Sequence, residues 1–359
     1  MKNNHLTMTA LIALFCASAC CNHADKPENV IYLIGDGMGF GAVTTLLYTE
    51  DEVTGFEMAS AIGLSETSSA DNYTTDSAAG GTALATGTRT KNGYAGADPD
   101  GNQLTSIMKK AQAMGKKSGI VVNTTLTEAT PSAFYAGVTS RYEVYDIAKQ
   151  FTESGVDVAI GSGLEHFISR PDSLDLTAVL IEKGYDVYLN WEAVLKTSSD
   201  RFIGILPPSD VHRRNADNDT ETASVYLEKA TAKALDVLAR DSKDGFFLMI
   251  ESAVIDGYGH NNDSEGMIAE MKEFNRTLKQ LIAYVDEHPN TLLIVTADHE
   301  TGGTGISYSG YGAYPKHVFS TRGHTGNVVP IFAYGPGAEN FSGVMKNTDI
   351  PKKIEELIR

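Results

Sequence analysis

An α/β fold, with a central, mostly parallel sheet flanked by helices, is the architecture this sequence predicts. Two observations predict it. Apolar runs of strand length alternate along the chain with longer stretches of helical period, and no low-complexity linker interrupts them. Carboxylates and imidazoles directly follow several of those runs, which is where sites collect in open α/β sheets. At 359 residues the chain has room for one large domain or two ordinary ones. A composition 42% hydrophobic and 21% charged is that of a globular protein, not a disordered one.

The N-terminus differs in kind from the rest. Lys2 precedes an apolar run over 8–19 that ends Ala17-Ser18-Ala19, ahead of Cys20 and Cys21. Such a run is too short to span a membrane and reads as an export signal, residues 1–19. A buried N-terminal helix fits poorly beside the polar stretch 22–29. All three cysteines, Cys16, Cys20 and Cys21, lie in or beside this leader. The body therefore relies on its core and on bound metal, not on disulfides. Cys20 directly after Ala-Ser-Ala resembles a lipoprotein cleavage site. The expected location is periplasmic, or lipid-anchored to the cell envelope through Cys20. The remainder, 26–359, reads as one catalytic domain. A formal charge of −17 excludes a nucleic-acid-binding surface, which needs basic stripes. It does not exclude an anionic substrate, because bound divalent ions reverse the sign locally.

The first strand, 30–34, runs into Gly35-Asp36-Gly37-Met38-Gly39-Phe40-Gly41-Ala42. From Gly37 this meets a loose dinucleotide-binding pattern, but no ribose-binding acid follows a second strand. A tight turn is the plainer reading, and Asp36 within it is well placed as a metal ligand. The small residues Thr75-Asp76-Ser77-Ala-Ala-Gly-Gly-Thr-Ala open a helix with Asp76 or Ser77 as N-cap. Alternatively they set the Ser77 hydroxyl at a helix N-terminus, where an anion is stabilised. A helix over 104–114 and a strand over 119–122 precede Glu128-Ala-Thr130-Pro and Val-Thr-Ser-Arg141. Thr130 caps a helix or offers a neutral oxygen to magnesium. Arg141 is a surface residue or a bidentate clamp on phosphate oxygens.

A helix over 142–151, a strand over 156–160, an irregular stretch 196–218 and a helix over 221–238 lead to the most informative segment. There the strand 246–250 runs into Glu251, Asp256 and His260. Buried charge is costly unless paired or bound to metal, so the spacing E-x4-D-x3-H asks for cations. After a helix over 265–285, the strand 292–295 ends near Asp298-His299. Two ligand-bearing strand ends point to a multi-metal enzyme. The irregular stretch 301–323 is a lid or an edge decoration. His324 precedes the strand 329–334, so it joins the site only if its loop returns to the same sheet edge. His5, His23, His166, His212, His288 and His317 lack comparable neighbours and receive no catalytic role.

Together, Gly-Asp36-Gly-Met-Gly, Thr-Asp-Ser77-Ala-Ala, Ala-Thr130-Pro with Arg141, Glu251…Asp256…His260, Ala-Asp298-His299 and His324-Thr-Gly resemble the alkaline phosphatase family. The match runs in order from about Val30 to the C-terminus. The resemblance implies a three-layer sandwich with helices on both sides of the sheet. It implies two Zn2+ and one Mg2+. Asp256, His260 and His324 would bind the first zinc, and Asp36, Asp298, His299 and the Ser77 oxygen the second. Asp36, Thr130 and Glu251 would bind magnesium. Imidazoles thus go to the borderline zinc ions and an all-oxygen set to magnesium. The implied reaction is hydrolysis of small-molecule phosphate monoesters through a phosphoserine on Ser77, with Arg141 holding two phosphate oxygens. Little discrimination among leaving groups is a further expectation; a homodimer is one of two open states, because a small or absent crown subdomain leaves the oligomer undecided.

Two departures stand out. Glu128 occupies the place of an aspartate in the bacterial pattern, and Gly257 that of a lysine; animal members have histidines at both. The segment from His299 to His324 is also short beside the crown of animal members. Two rival readings are a phosphodiesterase with two zincs and no magnesium, and a non-catalytic lipoprotein that binds zinc or phosphate. Thr130 and Glu251 argue against the first. Ser77 among the ligands argues against the second.

Overall fold

The structure, a computed structural model, describes residues 26–211, 225–308, 310 and 316–359. The predicted signal 1–19, Cys20, His5, His23 and His212 lie outside the described residues. Fourteen strands are present among them: β1 Asn29–Gly35, β2 Ala61–Glu66, β3 Lys117–Thr125, β4 Val158–Ser162, β5 Asp186–Tyr188, β6 Phe202–Leu206, β7 Phe246–Ser252, β8 Thr291–Thr296, β9 Glu300–Thr301, β10 Thr304–Ser307, β11 Lys316–Phe319, β12 His324–Thr325, β13 Val329–Tyr334 and β14 Gly343–Lys346. Ten of these form one sheet in the order β14-β2-β13-β8-β1-β7-β3-β4-β6-β5, while β9 with β12 and β10 with β11 make two small ribbons. Within the large sheet only β13 runs against its neighbours, β8 and β2. The expected mostly parallel α/β sheet is present.

Helices cover both faces, which is why the central strands read as continuous apolar runs. All seven residues of β7 are buried. Along β1 the side chains alternate between the two cores: Val30, Tyr32 and Ile34 enter one, Ile31 and Leu33 the other. The second core receives Met267, Met271, Phe274, Leu278, Leu281 and Val285 from the helix Ser264–Glu287. Their spacing of three and four residues is one stripe of that helix. The first core is closed by helices Ile107–Ala113, Val144–Phe151 and Ile350–Ile358.

All six predicted strands are found, and four strands of the sheet were not predicted. The main correction is β6, which lies inside the stretch 196–218 read as irregular. It is a short apolar segment whose Gly204 lets Val194 pack close to the backbone; a Cβ there would lie 2.8 Å from Val194 Cγ2. The stretch 301–323 likewise contains ordered β pairing, Thr304–Ser307 against Lys316–Phe319. The helix predicted from residue 221 is described over Tyr226–Ala239, with 221–224 outside the described residues. Among the described residues, no helix is long and apolar enough to cross a membrane.

Candidate active site

The carboxyl ends of four adjacent parallel strands, β8-β1-β7-β3, deliver nearly every predicted ligand to one edge of the sheet. Asp36 follows β1, Glu251 lies at the end of β7, and Asp298 and His299 follow β8. Asp256 and His260 sit on the helix Val254–Asn261, and Thr130 on the short helix Ala129–Ser132 after β3. His324 reaches them because its loop does return. β12 pairs antiparallel with β9, setting His324 opposite Thr301 and Thr325 opposite Glu300. The buried Glu300 carboxylate fastens this return by accepting from the Thr304 N–H (2.9 Å), the Gly303 N–H (3.3 Å) and the Thr325 hydroxyl.

The glycine-rich bend after β1 has a steric cause that needs no dinucleotide. Gly37 has φ +71°, and a Cβ there would lie 2.7 Å from the Asp256 Cα. Its N–H donates to Asp298 Oδ1 at 3.1 Å, so the turn clasps two ligand-bearing segments. The small-residue run after Asp76 has a similar cause. A Cβ on Gly80 would lie 3.0 Å from the Asp298 carbonyl, and one on Gly81 2.9 Å from the Thr130 Cα. The helix Ser77–Thr86 can therefore seat against both ligand loops. Of the two candidate caps, Asp76 is the N-cap, accepting from the Ala79 N–H at 2.9 Å. Ser77 is the first helical residue, its side chain buried and its Oγ 3.2 Å from His299 Nε2.

The imidazoles are oriented by their outer nitrogens. His260 Nδ1 lies 2.5 Å from the Arg322 carbonyl and His324 Nδ1 lies 2.9 Å from that of Thr75. A carbonyl only accepts, so each Nδ1 carries the hydrogen and each Nε2 turns inward, where it could serve a cation. The two Nε2 atoms lie 3.1 Å apart. Asp256 Oδ2 is 3.3 Å from His260 Nε2, and its Oδ1 is 3.4 Å from His324 Nε2. Asp256, His260 and His324 thus form one group whose donor atoms can share a cation; Asp36, Asp256 and His299 form another. Asp298 belongs with the second, its Oδ2 lying 3.3 Å from His299 Nε2, as does Asp36 Oδ1 at 3.5 Å. Asp256 therefore reaches both groups.

Several of the buried side-chain oxygens without a hydrogen-bond partner of ordinary geometry, though not all of them, lie here: Asp36 Oδ1, Thr130 Oγ1, both oxygens of Glu251 and Asp298 Oδ2. Each belongs to a residue predicted as a ligand. A buried, unsatisfied carboxylate is costly, and hard oxygens of this kind suit a cation. Burial, followed by the Asp298 and Asp256 charges, pushes the Asp36 carboxyl well up. Burial, then Glu128, does the same to Glu251. Burial, then Asp256, lifts Asp298 to about 7. Burial also works on Asp256, but the His260 and His324 imidazoles outweigh it and hold that carboxyl well below its usual range. In return Asp256 raises His260 to about 9. Burial lowers His299, and the neighbouring His324 lowers it further.

Arg141 is not a surface residue. Its Nη2 is 2.7 Å from Glu128 Oε1 and its Nη1 is 3.7 Å from Asp76 Oδ2. It lines a cavity of about 810 Å³ together with Ser77, Asp36, Asp256, His260 and His324. Asp76, named from the sequence as a helix cap, is also a neighbour of Arg141. Other contributors were not singled out from the sequence. Thr301 donates to Asp256 Oδ1 at 2.5 Å and lies 3.2 Å from His299 Nδ1; its place two residues after His299 was the available signal. His166, given no role from sequence, lines the same cavity, with Nδ1 2.6 Å from Thr127 Oγ1. His288 stacks on Tyr284 instead, with ring centroids 4.0 Å apart.

The family model for alkaline phosphatase matches residues 27–322 and 309–359. The chain is 29% identical to alkaline phosphatase 4 of Bacillus subtilis, over 95% of this chain and 91% of that protein. It is 28% identical to the alkaline phosphatase of Escherichia coli, over 91% and 85%. In structure it resembles the alkaline phosphatase of the Antarctic bacterium TAB5, with a TM-score of 0.87, 33% identity and coverage of 93% and 99%. The cold-active alkaline phosphatase of a psychrophilic Shewanella superposes with a TM-score of 0.82 at 28% identity, over 92% and 100%. With its site residues gathered at the expected sheet edge, the chain belongs to the alkaline phosphatase family and is a phosphate monoester hydrolase.

Proposed function

We propose that residues 26–359 form a catalytic domain that cleaves small phosphate monoesters through a phosphoserine on Ser77. The supporting observation is the Ser77 hydroxyl on the cavity wall, beside His299 and in the same cavity as Arg141. The donor sets suit a zinc at Asp256, His260 and His324, a zinc at Asp36, Asp298 and His299, and a magnesium at Asp36, Thr130 and Glu251. When bound, such ions supply Lewis acidity to the serine hydroxyl, the attacking water and the departing oxygen. A mutant of the TAB5 enzyme is known with magnesium bound, which supports the third assignment.

The chain's own residues do the rest. Ser77 opens a ten-residue helix, whose first-turn N–H groups and dipole favour the charge that gathers on a phosphate there. The Arg141 guanidinium holds two non-bridging oxygens in a planar fork. Because Glu128 and Asp76 already restrain it, little orientation is lost when substrate arrives. As the Ser77 Oγ–P bond forms, the bond from phosphorus to the ester oxygen breaks and the alcohol leaves with a proton. Water then attacks the phosphoserine, the Oγ–P bond breaks, and inorganic phosphate departs with the serine hydroxyl restored.

Turnover of an aryl phosphate monoester against the matching diester, with and without zinc and magnesium, tests this reading. The monoester should be strongly preferred, with activity lost to a chelator and restored by both metals together. Preference for the diester, or turnover that ignores chelation, overturns it. The same proposal includes export directed by residues 1–19, attachment through a lipidated Cys20, and a homodimer. The leader composition supports the first two. Mass analysis of the mature N-terminus and sedimentation velocity test all three.

A further inference from the structure

We infer that the cavity extends past the phosphate position into a subsite for a neutral, hydroxyl-bearing leaving group of sugar size; this rests on the phosphatase reading of Ser77. The cavity volume of about 810 Å³ falls in the range of clefts that enclose a whole small molecule. A phosphate group fills a small part of it. The topology says where the rest lies. Ser77 and the ligand groups gather over β8, β1 and β7, whereas the cavity also takes in residues from the ends of β3 and β4. With neighbouring strands about 4.8 Å apart, β4 lies about 10 Å beyond β7 along the sheet edge.

The wall of that extension is chemically distinct from the phosphate end. Thr125 ends β3 and Thr127 follows it, His166 lies on the helix Leu164–Ile168 after β4, and Tyr142 and Val144 follow Arg141. Gly257 faces the cavity from the helix Val254–Asn261, and a Cβ on it would meet nothing within 4 Å. His166 Nδ1 and Thr127 Oγ1 lie 2.6 Å apart and Thr127 Oγ1 is 3.2 Å from Thr125 Oγ1, so the ring and two hydroxyls form one connected polar wall. His166 Nε2 is the ring nitrogen left to exchange a hydrogen bond with a ligand hydroxyl, which can donate or accept. Burial keeps the ring below its ordinary pKa and so neutral at alkaline pH. Tyr142 is 84% exposed at the rim, where its ring face can stack on the apolar face of a sugar.

Charge decides against an acidic leaving group. No lysine is among the described residues lining the cavity, and Arg141, its one arginine, is already paired with Glu128. Glu165 Oε1 stands 3.8 Å from His166 Nε2. At that end of the cavity, away from the metal-ligand groups, a second phosphate or a carboxylate on the leaving group would meet Glu128 and Glu165 with no lysine and no unpaired arginine among the described lining residues to offset them.

The test compares kcat/KM of the metal-loaded enzyme for glucose 6-phosphate, methyl phosphate and 3-phosphoglycerate. The sugar phosphate should exceed the acidic ester several-fold. In Thr127→Val and in His166→Phe, which keeps a ring against Tyr145, the ratio of glucose 6-phosphate to methyl phosphate should fall about five-fold, as for one lost hydrogen bond. A ratio unchanged in these variants, or preference for 3-phosphoglycerate, overturns the subsite. Should His166→Phe fail to fold, Thr127→Val carries the same prediction by itself. If the parent enzyme turns over none of the three esters, the phosphatase reading fails, and the subsite with it.

Discussion

Glu128 Oε1 and Arg141 Nη2 are 2.7 Å apart, and Asp76 approaches the same guanidinium from the other side at 3.7 Å. The arginine meets a phosphate already braced between two carboxylates. Bracing gives orientation, but it also offsets part of the positive charge that a phosphate dianion would use. Gly257 brings no side chain to the cavity, and Arg141 is the one arginine, with no lysine, among the described residues lining it.

Arg141→Ala should therefore act mainly on binding. Because Glu128 and Asp76 already offset part of its charge, two lost hydrogen bonds at about 1 kcal/mol each correspond to roughly 10- to 100-fold in affinity. KM and the inhibition constant of inorganic phosphate should rise by that order, with a smaller fall in kcat, because Arg141 holds oxygens and neither attacks nor ligates. Steady-state kinetics with phosphate as inhibitor would show it. A KM equal to that of the parent would remove Arg141 from phosphate recognition.

Ser77→Ala should abolish phosphoenzyme formation and lower kcat by several orders of magnitude while zinc remains bound. The removed hydroxyl is the one placed beside His299 Nε2 at 3.2 Å. Acid quenching with a labelled monoester and metal analysis of the same sample separate the two statements. A burst of product like that of the parent would show that another group attacks phosphorus.

Glu251→Gln should cost magnesium activation and leave zinc content intact. Both Glu251 oxygens are buried without a hydrogen-bond partner of ordinary geometry, and Glu251 ends β7 beside β3, whose following short helix carries Thr130. An all-oxygen set of this kind is a magnesium site by ligand chemistry. Elemental analysis decides it. Loss of a zinc from the variant would mean that Glu251 serves a different ion.

Much of the site was legible because its strands are buried on both faces. The segments 30–34, 246–250 and 292–295 are unbroken apolar runs, so the charged residues after them had no place in a core and stood out as candidate ligands. β6 carries the same signal in Phe202-Ile-Gly-Ile-Leu206, but five residues beside a polar stretch do not separate a strand from a loop. β2 alternates buried and partly exposed residues near a sheet edge, a pattern its six residues state weakly. Two site features depend on pairings distant in sequence and leave no local mark. His324 arrives through the β9–β12 ribbon and the Glu300 carboxylate, and His166 arrives because β4 lies beside β3.

The metal-free protein should lose stability as pH rises from 7 to 9. Asp36 and Glu251 are pushed up by burial, Asp298 to about 7, and His260 to about 9 by its bond with Asp256. Each raised group binds more protons folded than unfolded in this window, so the unfolding free energy falls with pH. Of the lowered groups in the site, Asp256 is ionised folded and unfolded throughout this window, and His299 opposes the trend only weakly at its lower end, where an unfolded histidine still holds part of a proton. Bound ions take the place of those protons, so the gap in Tm between loaded and metal-free protein should widen from pH 7 to 9. A gap that narrows in thermal melts would contradict these proton positions.

The open space at Gly257 is the sharpest test of how charge is arranged here. Gly257 lines the cavity one residue after Asp256, on the exposed side of a helix where a Cβ meets nothing within 4 Å. Gly257→Lys should therefore fold, since a side chain has room and a helical glycine gains stability when replaced. A lysine there can approach both Glu128 and the phosphate held by Arg141. A unit charge about 6 Å from phosphate, at an effective dielectric near 20, is worth roughly 3 kcal/mol before screening. In a site open to water about 1 kcal/mol survives. That is an approximately five-fold gain in affinity. Inhibition by inorganic phosphate should tighten by this factor, and kcat should fall alongside it if product release limits turnover. Unchanged or weaker inhibition in a folded, metal-loaded variant would place Gly257 away from the phosphate, and the low positive charge of this site would then need another cause.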